Sequence, residues 1–240
     1  MDHSPYIRKT ESAHTAVLMI HGIMGTPRHF DGFLPLIPEN WDVYNILLEG
    51  HGKTVRDFNR TSMKKWQAQV QNHFREMSSR YERIFVIAHS LGTLLAMEAA
   101  RQYPEKVERM IFLAPPLKIF MRPVMVKYSA KEIFGCIDES NPREAAVSRG
   151  NSIAPEKRVW QYLGNIPRLL ELLWLSRRCR NIPVQVPCLV FLSGKDELIP
   201  VSSGKFLPGC EKCILPLSGH FYYTPEEWDI LTEKTKEFLQ

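Results

Sequence analysis

The stretch FVIAHSLGTLL, residues Phe85–Leu95, decides the fold of this 240-residue chain. Its first half is a short apolar run typical of a buried strand, and its second half has the apolar spacing of a helix. Ser90 lies where the predicted strand passes into the predicted helix. The small residues Ala88 and Gly92 would let the chain turn sharply and lift the serine hydroxyl out at the C-terminal edge of the sheet. An ordinary helix cap has similar neighbours, so this stretch alone leaves both interpretations open.

Around this stretch, short apolar runs alternate with longer helical patterns. This alternation predicts an α/β fold with a mostly parallel central sheet and helices on both faces. The predicted strands are continuous rather than alternating apolar runs, which indicates burial on both sides. They are AVLMIHG (16–22), VYNILLEG (43–50), RIFVIAHS (83–90), RMIFLAP (109–115), CLVFLSG (188–194) and CILPL (213–217). Helical patterns follow Pro27 and cover about 63–79, 91–102 and 225–239. We therefore expect a sheet of six or seven strands.

The interval between the fourth and fifth predicted strands is much longer than the other connections, which predicts an insertion. We expect a small helical cap at residues 117–182 and an α/β core formed by residues 1–116 and 183–240. Two helix-like pieces occur in the insertion, RPVMVKYSAKEIF (122–134) and PRLLELLWLSRRCR (167–180). The second could be a lid helix buried against the core, a ligand-facing lid or a membrane contact. Six apolar residues are candidates for the wall of a binding site: Phe120, Met121, Met125, Phe134, Leu172 and Trp174.

Composition and charge narrow the class of protein. Hydrophobic residues make up 44% of the chain and charged residues 24%, and no apolar run reaches the roughly 20 residues that span a bilayer. The polar N-terminus lacks the apolar segment of a secretory signal, and five cysteines without a regular framework are typical of free thiols, so we expect a cytoplasmic location. Residues 118–182 carry twelve Lys and Arg against six Asp and Glu. This basic excess could attract anionic groups or simply be solvated; we expect weak lipid-surface contact by the cap and no stable membrane insertion.

Two further loops could activate the serine. A serine hydroxyl needs an adjacent imidazole as base, and the imidazole needs a carboxylate to orient it. SGKDELIP places Asp196 after the fifth predicted strand, and LSGHFYYTPEEW places His220 after the sixth. Ser90, Asp196 and His220 therefore lie on loops at the same sheet edge. Glu197 is the rival acid, and His89 should leave the turn in another direction than Ser90.

An oxyanion would also need hydrogen-bond donors. The N–H of Leu91 follows the serine directly, and the glycine-rich turn HGIMGTP after the first strand can aim the N–H of Ile23 at the same point. The same turn would also serve as an ordinary strand-to-helix connection capped by Thr26. The sequence contains no GxGxxG turn, phosphate-binding loop, zinc-type His/Glu pair or nucleic-acid motif, so we expect no cofactor, no metal and no nucleic-acid partner.

Taken together, these motifs resemble the α/β-hydrolase superfamily, and within it the small bacterial carboxylesterases and monoacylglycerol lipases. HGIMGTP resembles the oxyanion loop, LLEGHGKT the loop after the next strand, AHSLG the nucleophile elbow, SGKDELIP the acid loop and SGH the histidine loop. The resemblance implies that Ser90 is the nucleophile, His220 the base and Asp196 the orienting acid, with Ile23 and Leu91 as oxyanion donors. Two departures are Ala88, where glycine is commoner, and Thr93, where many esterases have a second glycine.

The resemblance implies a serine hydrolase that cleaves carboxylic esters through an acyl-enzyme, with short- to medium-chain acyl esters or monoacylglycerols as substrates. A thioesterase or lysophospholipase would use the same three residues. A ligand-binding module that has kept the fold without the chemistry is the non-enzymatic alternative. The oligomeric state is not indicated.

Overall fold

A computed structural model describes residues 3–240. It contains a seven-stranded sheet whose strands are β1 (Tyr6–Arg8), β2 (Thr15–Ile20), β3 (Asp42–Ile46), β4 (Arg83–His89), β5 (Val107–Leu113), β6 (Cys188–Ser193) and β7 (Glu211–Leu215). The order across the sheet is β1-β3-β2-β4-β5-β6-β7. Only β1 is antiparallel to its neighbour, and every other pair is parallel. The predicted open, mostly parallel sheet is therefore confirmed.

Seven α-helices accompany the strands in the part of the chain that the structure describes. They are α1 (Val55–Asn59), α2 (Met63–Arg80), α3 (Leu91–Ala100), α4 (Pro123–Ile133), α5 (Pro142–Gly150), α6 (Ile166–Cys179) and α7 (Pro225–Leu239). Three 3₁₀ helices lie at Pro27–Leu36, Val159–Asn165 and Val201–Phe206. Among residues 3–240, no helix combines the length and the apolar character needed to cross a membrane.

Strand β2 shows how the sheet is buried on both faces. All six of its residues are buried. Leu18 and Ile20 pack in the layer formed with α2, α3 and α6, whereas Val17 and Met19 pack in the opposite layer with Phe30 and Leu231. The sheet thus lies between two apolar layers. Its polar connecting loops are at the ends of the strands. The C-terminal ends of β4, β6 and β7 carry Ser90, Asp196 and His220.

Sequence reasoning missed three small elements of the core, strand β1, helix α1 and the 3₁₀ helix Val201–Phe206. Strand β1 has three residues that are exposed or half-buried, so it gives no apolar run. Helix α1 has five residues and is held by a capping box in which Thr54 and Asp57 bond each other's backbone. Strand β3 ends at Ile46 rather than at residue 50, because the chain turns through Gly50 and Gly52, whose φ angles are +81° and +70°.

Residues 117–182 lie between β5 and β6 and contain α4, α5, the 3₁₀ helix Val159–Asn165 and α6. We call this segment the cap and the rest of the chain the core. Helix α6 buries Leu172, Leu175 and Cys179 against the core and leaves Leu170 and Trp174 exposed. Helix α5 was missed from the sequence because its run PREAAVSRG has little apolar periodicity; it begins at an Asn141 cap followed by Pro142.

Candidate functional site

Ser90 occupies a strained turn between β4 and α3. Its φ is 49° and its ψ is −122°, a conformation that non-glycine residues rarely adopt. The turn is fixed from both sides, because the N–H of Ser90 donates to Leu113 O at 2.9 Å and the Thr93 hydroxyl donates to Ser90 O at 2.7 Å. Thr93, one of the two departures from the family pattern, therefore holds the turn rather than disturbing it.

The small residues around Ser90 have separate reasons. A Cβ on Gly92 would lie 2.1 Å from Ile20 O and 2.8 Å from His21 O, so only glycine lets α3 approach β2 this closely. Ala88, the other departure, is fully buried in the layer facing α2 and α3 and has room for its methyl group. A Cβ on Gly22 would meet the Ser90 Cβ at 3.0 Å, so the chain after β2 also passes directly against the serine.

The ring of His220 is oriented by Asp196. The Nδ1 atom of His220 lies 2.9 Å from Asp196 Oδ2 and 3.1 Å from Oδ1, and both residues are only 2% exposed. Asp196 Oδ1 also accepts the N–H groups of Leu198 and Ile199 at 2.8 and 2.7 Å, which fixes the carboxylate in place. A carboxylate only accepts hydrogen bonds, so the proton sits on Nδ1 and leaves Nε2 able to accept one.

Glu197, the rival acid, binds a different part of His220. Its Oε2 accepts the backbone N–H of His220 at 2.8 Å, whereas the ring faces Asp196. On the other side, the Nε2 of His89 lies 3.1 Å from the His220 carbonyl oxygen and donates to it. Glu197 of the acid loop and His89 of the elbow therefore both bind the backbone of His220, and Asp196 binds its ring.

Leu91 follows Ser90 directly in the chain, and Ile23 follows Gly22, which lies against the serine. Within residues 3–240, the N–H of neither Ile23 nor Leu91 donates to a backbone carbonyl. The loop that carries Ile23 is braced by two buried histidines. The N–H of Met24 donates to His51 Nε2 and the N–H of Leu48 donates to His21 Nε2, each at 3.0 Å. These contacts give the loop a fixed shape without a ligand.

Both bracing histidines are neutral. Their Nε2 atoms accept hydrogen bonds, and their Nδ1 atoms donate to Gly22 O and Leu48 O at 2.8 and 3.2 Å. Burial lowers the pKa of His21 to about 4 and the pKa of His51 well below its usual range. Sequence reasoning did not assign this brace, although both histidines stand next to glycine at the end of a predicted strand.

A cavity of about 450 Å³ opens above Ser90 and His220. Three of the six predicted wall residues line it: Met121, Met125 and Leu172. The other three, Phe120, Phe134 and Trp174, are 63%, 64% and 57% exposed and lie outside the wall, so their assignment to it is corrected. Trp174 projects from the outer face of α6, where the Arg178 guanidinium lies 4.9 Å from its ring centre. Apolar wall residues that sequence reasoning missed are Ile119, Ile133, Val147, Tyr162, Leu169, Leu173, Leu198, Ile199 and Phe221.

One end of the cavity wall is polar. Ser129, Glu132 and Asn151 line it, and the Asn151 side chain lies beside the Glu132 carboxyl. Burial raises the pKa of Glu132 to about 7. Met125, Ser129 and Glu132 follow helical spacing and so share one face of α4, a signal that could have placed Glu132 in the wall. Among the described residues, no Lys or Arg lines this cavity.

Comparisons with known proteins identify the family and the fold. A family model described as serine aminopeptidase, S33 matches residues 11–142. A thermostable monoacylglycerol lipase of Bacillus sp. (strain H-257) is 29% identical over 240 residues, covering 95% of this chain and 92% of that protein. A structure from a study of the metagenome-derived lipolytic enzymes LipS and LipT superposes with a TM-score of 0.72 at 18% identity, covering 99% of this chain and 97% of that one. The thioesterase domain from the curacin biosynthetic pathway superposes with a TM-score of 0.59 at 18% identity, covering 98% and 94%. At these identities, the structural likenesses show the fold alone.

Proposed function

The chain belongs to the serine aminopeptidase, S33 family of α/β hydrolases, and we propose that it cleaves carboxylic esters through an acyl-enzyme on Ser90. Ser90 in its strained turn and the ring of His220, oriented by Asp196, line one cavity, and this arrangement carries the proposal. No cofactor or metal is needed for this chemistry.

In the first half of the reaction, His220 Nε2 takes the proton of the Ser90 hydroxyl as its oxygen attacks the ester carbonyl. The oxyanion of the tetrahedral intermediate accepts hydrogen bonds from the N–H groups of Ile23 and Leu91, each worth about 3 kcal/mol in barrier height. His220 then gives the proton to the leaving alcohol, and the acyl group stays on Ser90. In the second half, His220 takes a proton from a water that attacks the acyl-enzyme, and it returns this proton to the Ser90 oxygen as the acid is released.

The cavity supports a monoacylglycerol or a related aliphatic ester as substrate. Its apolar wall suits an aliphatic acyl chain, because burying each methylene contributes about 0.8 kcal/mol. The polar group of Ser129, Glu132 and Asn151 suits an alcohol part that carries free hydroxyls. The relative from Bacillus bears the name monoacylglycerol lipase, which favours the same substrate class.

The substrates of the two enzymatic alternatives carry a negative charge that a monoacylglycerol lacks. Acyl-CoA and lysophospholipids carry phosphate, which binds best to Arg, Lys or helix N-termini. The described cavity wall contains no Lys or Arg, so it offers no cationic partner to an anionic head group. We therefore favour esters of an uncharged alcohol as substrates over acyl-CoA thioesters and lysophospholipids.

The cap supports transient contact with a lipid surface. Leu169, Leu173 and Met121 both line the cavity and reach solvent, so its entrance is apolar. Trp160 and Leu163 are also exposed in the cap and lie outside the cavity wall, and exposed cations at Lys157, Arg158 and Arg177 belong to the same segment. Apolar side chains with flanking cations favour the anionic interface of a lipid aggregate. This contact would deliver a poorly soluble ester to the cavity.

Turnover of p-nitrophenyl esters by the wild type and by Ser90→Ala tests the proposal directly. We expect the variant to lose activity by a factor of roughly 10⁴ or more, since the nucleophile is gone. Equal rates would remove Ser90 from the mechanism. A fluorophosphonate that fails to label Ser90 in folded wild type would favour the non-catalytic binding module instead.

A substrate panel then separates the ester classes. Monoacylglycerols, lysophospholipids and acyl-CoA esters of one chain length are compared by kcat/KM. We expect the monoacylglycerol to be preferred, and preference for either phosphate-bearing substrate would reassign the enzyme.

A further inference from the structure

Glu197 is buried beside Asp196 but takes no part in orienting the ring of His220. It is 3% exposed, and its carboxylate accepts the His220 N–H at 2.8 Å. The carboxylate lies so close to the histidine loop that a Cβ on Gly219 would come within 2.9 Å of Glu197 Oε1. The acid loop thus presents two adjacent carboxylates to one histidine, Asp196 to its ring and Glu197 to its backbone.

The charge of Glu197 is balanced from the cap. Arg143 of α5 places Nη1 3.6 Å from Glu197 Oε1. The same guanidinium donates to Leu217 O and lies 5.4 Å from the centre of the Tyr222 ring. Arg143 therefore contacts the histidine loop on both sides of His220 as well as the carboxylate that holds its backbone.

The backbone of the acid loop also holds the start of the cap. The N–H of Arg122 donates to Glu197 O and the N–H of Phe120 donates to Leu198 O, each at 2.8 Å. Glu197 is consequently attached to the cap at two points that lie far apart in sequence, the segment before α4 and helix α5.

We propose that Glu197 and Arg143 are a positioning pair that links cap helix α5 to the catalytic histidine, Glu197 fixing the backbone of His220 and Arg143 balancing the second carboxylate. This inference rests on the proposed function, because it concerns how His220 serves as base. The pair touches neither substrate nor the reacting atoms and acts only through His220.

The charges give the pair a distinct signature. Without Arg143, two unbalanced carboxylates adjoin the histidine loop and stabilise the imidazolium of His220. The acid limb of the pH profile of kcat/KM, where His220 becomes protonated, therefore moves to higher pH. Glu197→Gln keeps an oxygen for the His220 N–H but leaves Arg143 unbalanced, so the acid limb moves to lower pH. Loss of packing alone would not shift the limb in opposite directions in the two variants.

Other groups near His220 stay constant across these variants. Burial lowers the pKa of His29 to about 3 and the pKa of His89 well below its usual range, so both are neutral at the pH values of the assay. Burial raises the pKa of Tyr223, which is neutral as well. The charged and titratable groups near the histidine loop come from several elements. Asp196 and Glu197 lie on the acid loop, Arg143 on α5, His89 on β4, His29 in the 3₁₀ helix Pro27–Leu36, and Tyr223 and Glu227 before and in α7. Glu132 of α4, whose pKa burial raises to about 7, lines the same cavity as His220 and is the same in every variant, so each shift is measured relative to the wild-type profile.

The test is the pH profile of kcat/KM for a soluble p-nitrophenyl ester. The variants are R143Q, R143K, E197Q, the double variant R143Q/E197Q, and R149Q as a control on the same helix, whose Arg149–Glu139 ion pair is exposed. We expect the acid limb to rise by about 0.5 pH unit or more in R143Q, to fall in E197Q and to return close to wild type in the double variant. R143K keeps the charge and should keep the wild-type limb, and R149Q should not move it.

Unmoved acid limbs in R143Q and E197Q would overturn the proposal, as would shifts of the same sign in both. Arg143 is more than a quarter exposed on the cap, so R143Q with R143K decides the matter if E197Q does not fold. Ser90→Ala, assayed alongside, separates the two levels. Activity that survives in Ser90→Ala refutes the proposed function, whereas Ser90-dependent activity with unmoved limbs refutes the positioning pair alone.

Discussion

The core and the cap bury their apolar side chains in different ways. In the core, strand β2 is buried along its whole length, and Ser90, Asp196 and His220 are each less than 5% exposed. In the cap, large apolar side chains face both ways. Leu172 is 8% exposed and lines the cavity, whereas Trp174, two residues later, is 57% exposed. Under the proposed function, the core would carry the chemistry and tolerate little change, and of the two faces of the cap only the inner one would contact the substrate.

The strongest test of the core is Asp196→Asn. An amide no longer holds His220 in the tautomer that accepts the serine proton, so we expect kcat to fall roughly 10³- to 10⁴-fold with KM little changed. Steady-state kinetics on a soluble ester measure this, with exposed Asp229→Asn as the control. Retention of activity within about tenfold would point to Glu197 as the orienting acid.

A second test asks how little room the core leaves at the elbow. Gly92→Ala puts a Cβ 2.1 Å from Ile20 O, and we expect a loss of stability of about 3 kcal/mol or more. Gly209→Ala is the matched control, because a Cβ there meets nothing within 4 Å. Chemical denaturation of both variants measures the difference. Similar stabilities would mean that α3 can move away from β2 at no cost.

On the inner face of the cap, Met125→Trp should change selectivity and leave the chemistry intact. Met125 lines the cavity, and a larger side chain removes space for the acyl chain, so kcat/KM for long-chain esters should fall about tenfold more than for short-chain esters. Val126→Trp on the same helix is the control, since Val126 is 58% exposed. Equal chain-length profiles for both variants would contradict the assignment of the inner face.

The polar end of the cavity predicts a pH dependence of stability. Because burial raises the pKa of Glu132 to about 7, the folded state holds a proton that the unfolded state releases at lower pH. Stability from this group is therefore complete at acidic pH and is lost as the pH rises towards 7. We expect Glu132→Gln to stabilise the protein by about 1 kcal/mol more at pH 8 than at pH 5, after allowing for solvent at this half-buried site.

Denaturant unfolding of Glu132→Gln at the two pH values measures the effect. Glu139→Gln, an exposed carboxyl of the same cap, serves as the control. An equal change at both pH values would show that Glu132 is ionised in the native state throughout.

The outer face of the cap should matter least for catalysis in solution. We expect the double variant Trp160→Ser/Leu163→Ser to change the free energy of unfolding by less than about 0.5 kcal/mol. Its kcat/KM for a soluble short ester should stay within about twofold of the wild-type value. Binding to anionic vesicles should nevertheless fall, because these exposed side chains would enter the interface. Ile230→Ser, exposed on α7 of the core, should not reduce vesicle binding. Unchanged binding in the cap variant would refute the lipid-surface contact.

The sequence predicts the core better than the cap for a physical reason. Parallel strands place their following loops at one edge, so the order of Ser90, Asp196 and His220 along the chain was enough to bring them together. The direction of a cap side chain depends instead on how each helix is rotated. Residues 169–175 are almost continuously apolar, so their periodicity could not tell Leu172 from Trp174. The helical spacing of Met125, Ser129 and Glu132 could have placed Glu132 in the wall, whereas the contact of Arg143 with Glu197 arises from tertiary packing, which no local pattern contains.

The paired brace of His21 and His51 bears on how this enzyme could be re-engineered. Each ring accepts a hydrogen bond from a backbone N–H of the other loop. The two loops therefore hold each other in place, although more than twenty residues separate them in sequence. A graft that carries only the turn after β2 into another scaffold would leave a backbone N–H and an imidazole nitrogen without partners in a dry interior. The transferable unit is the pair of loops, residues 21–25 together with residues 47–51, and library designs that vary one loop should vary the other in the same clone.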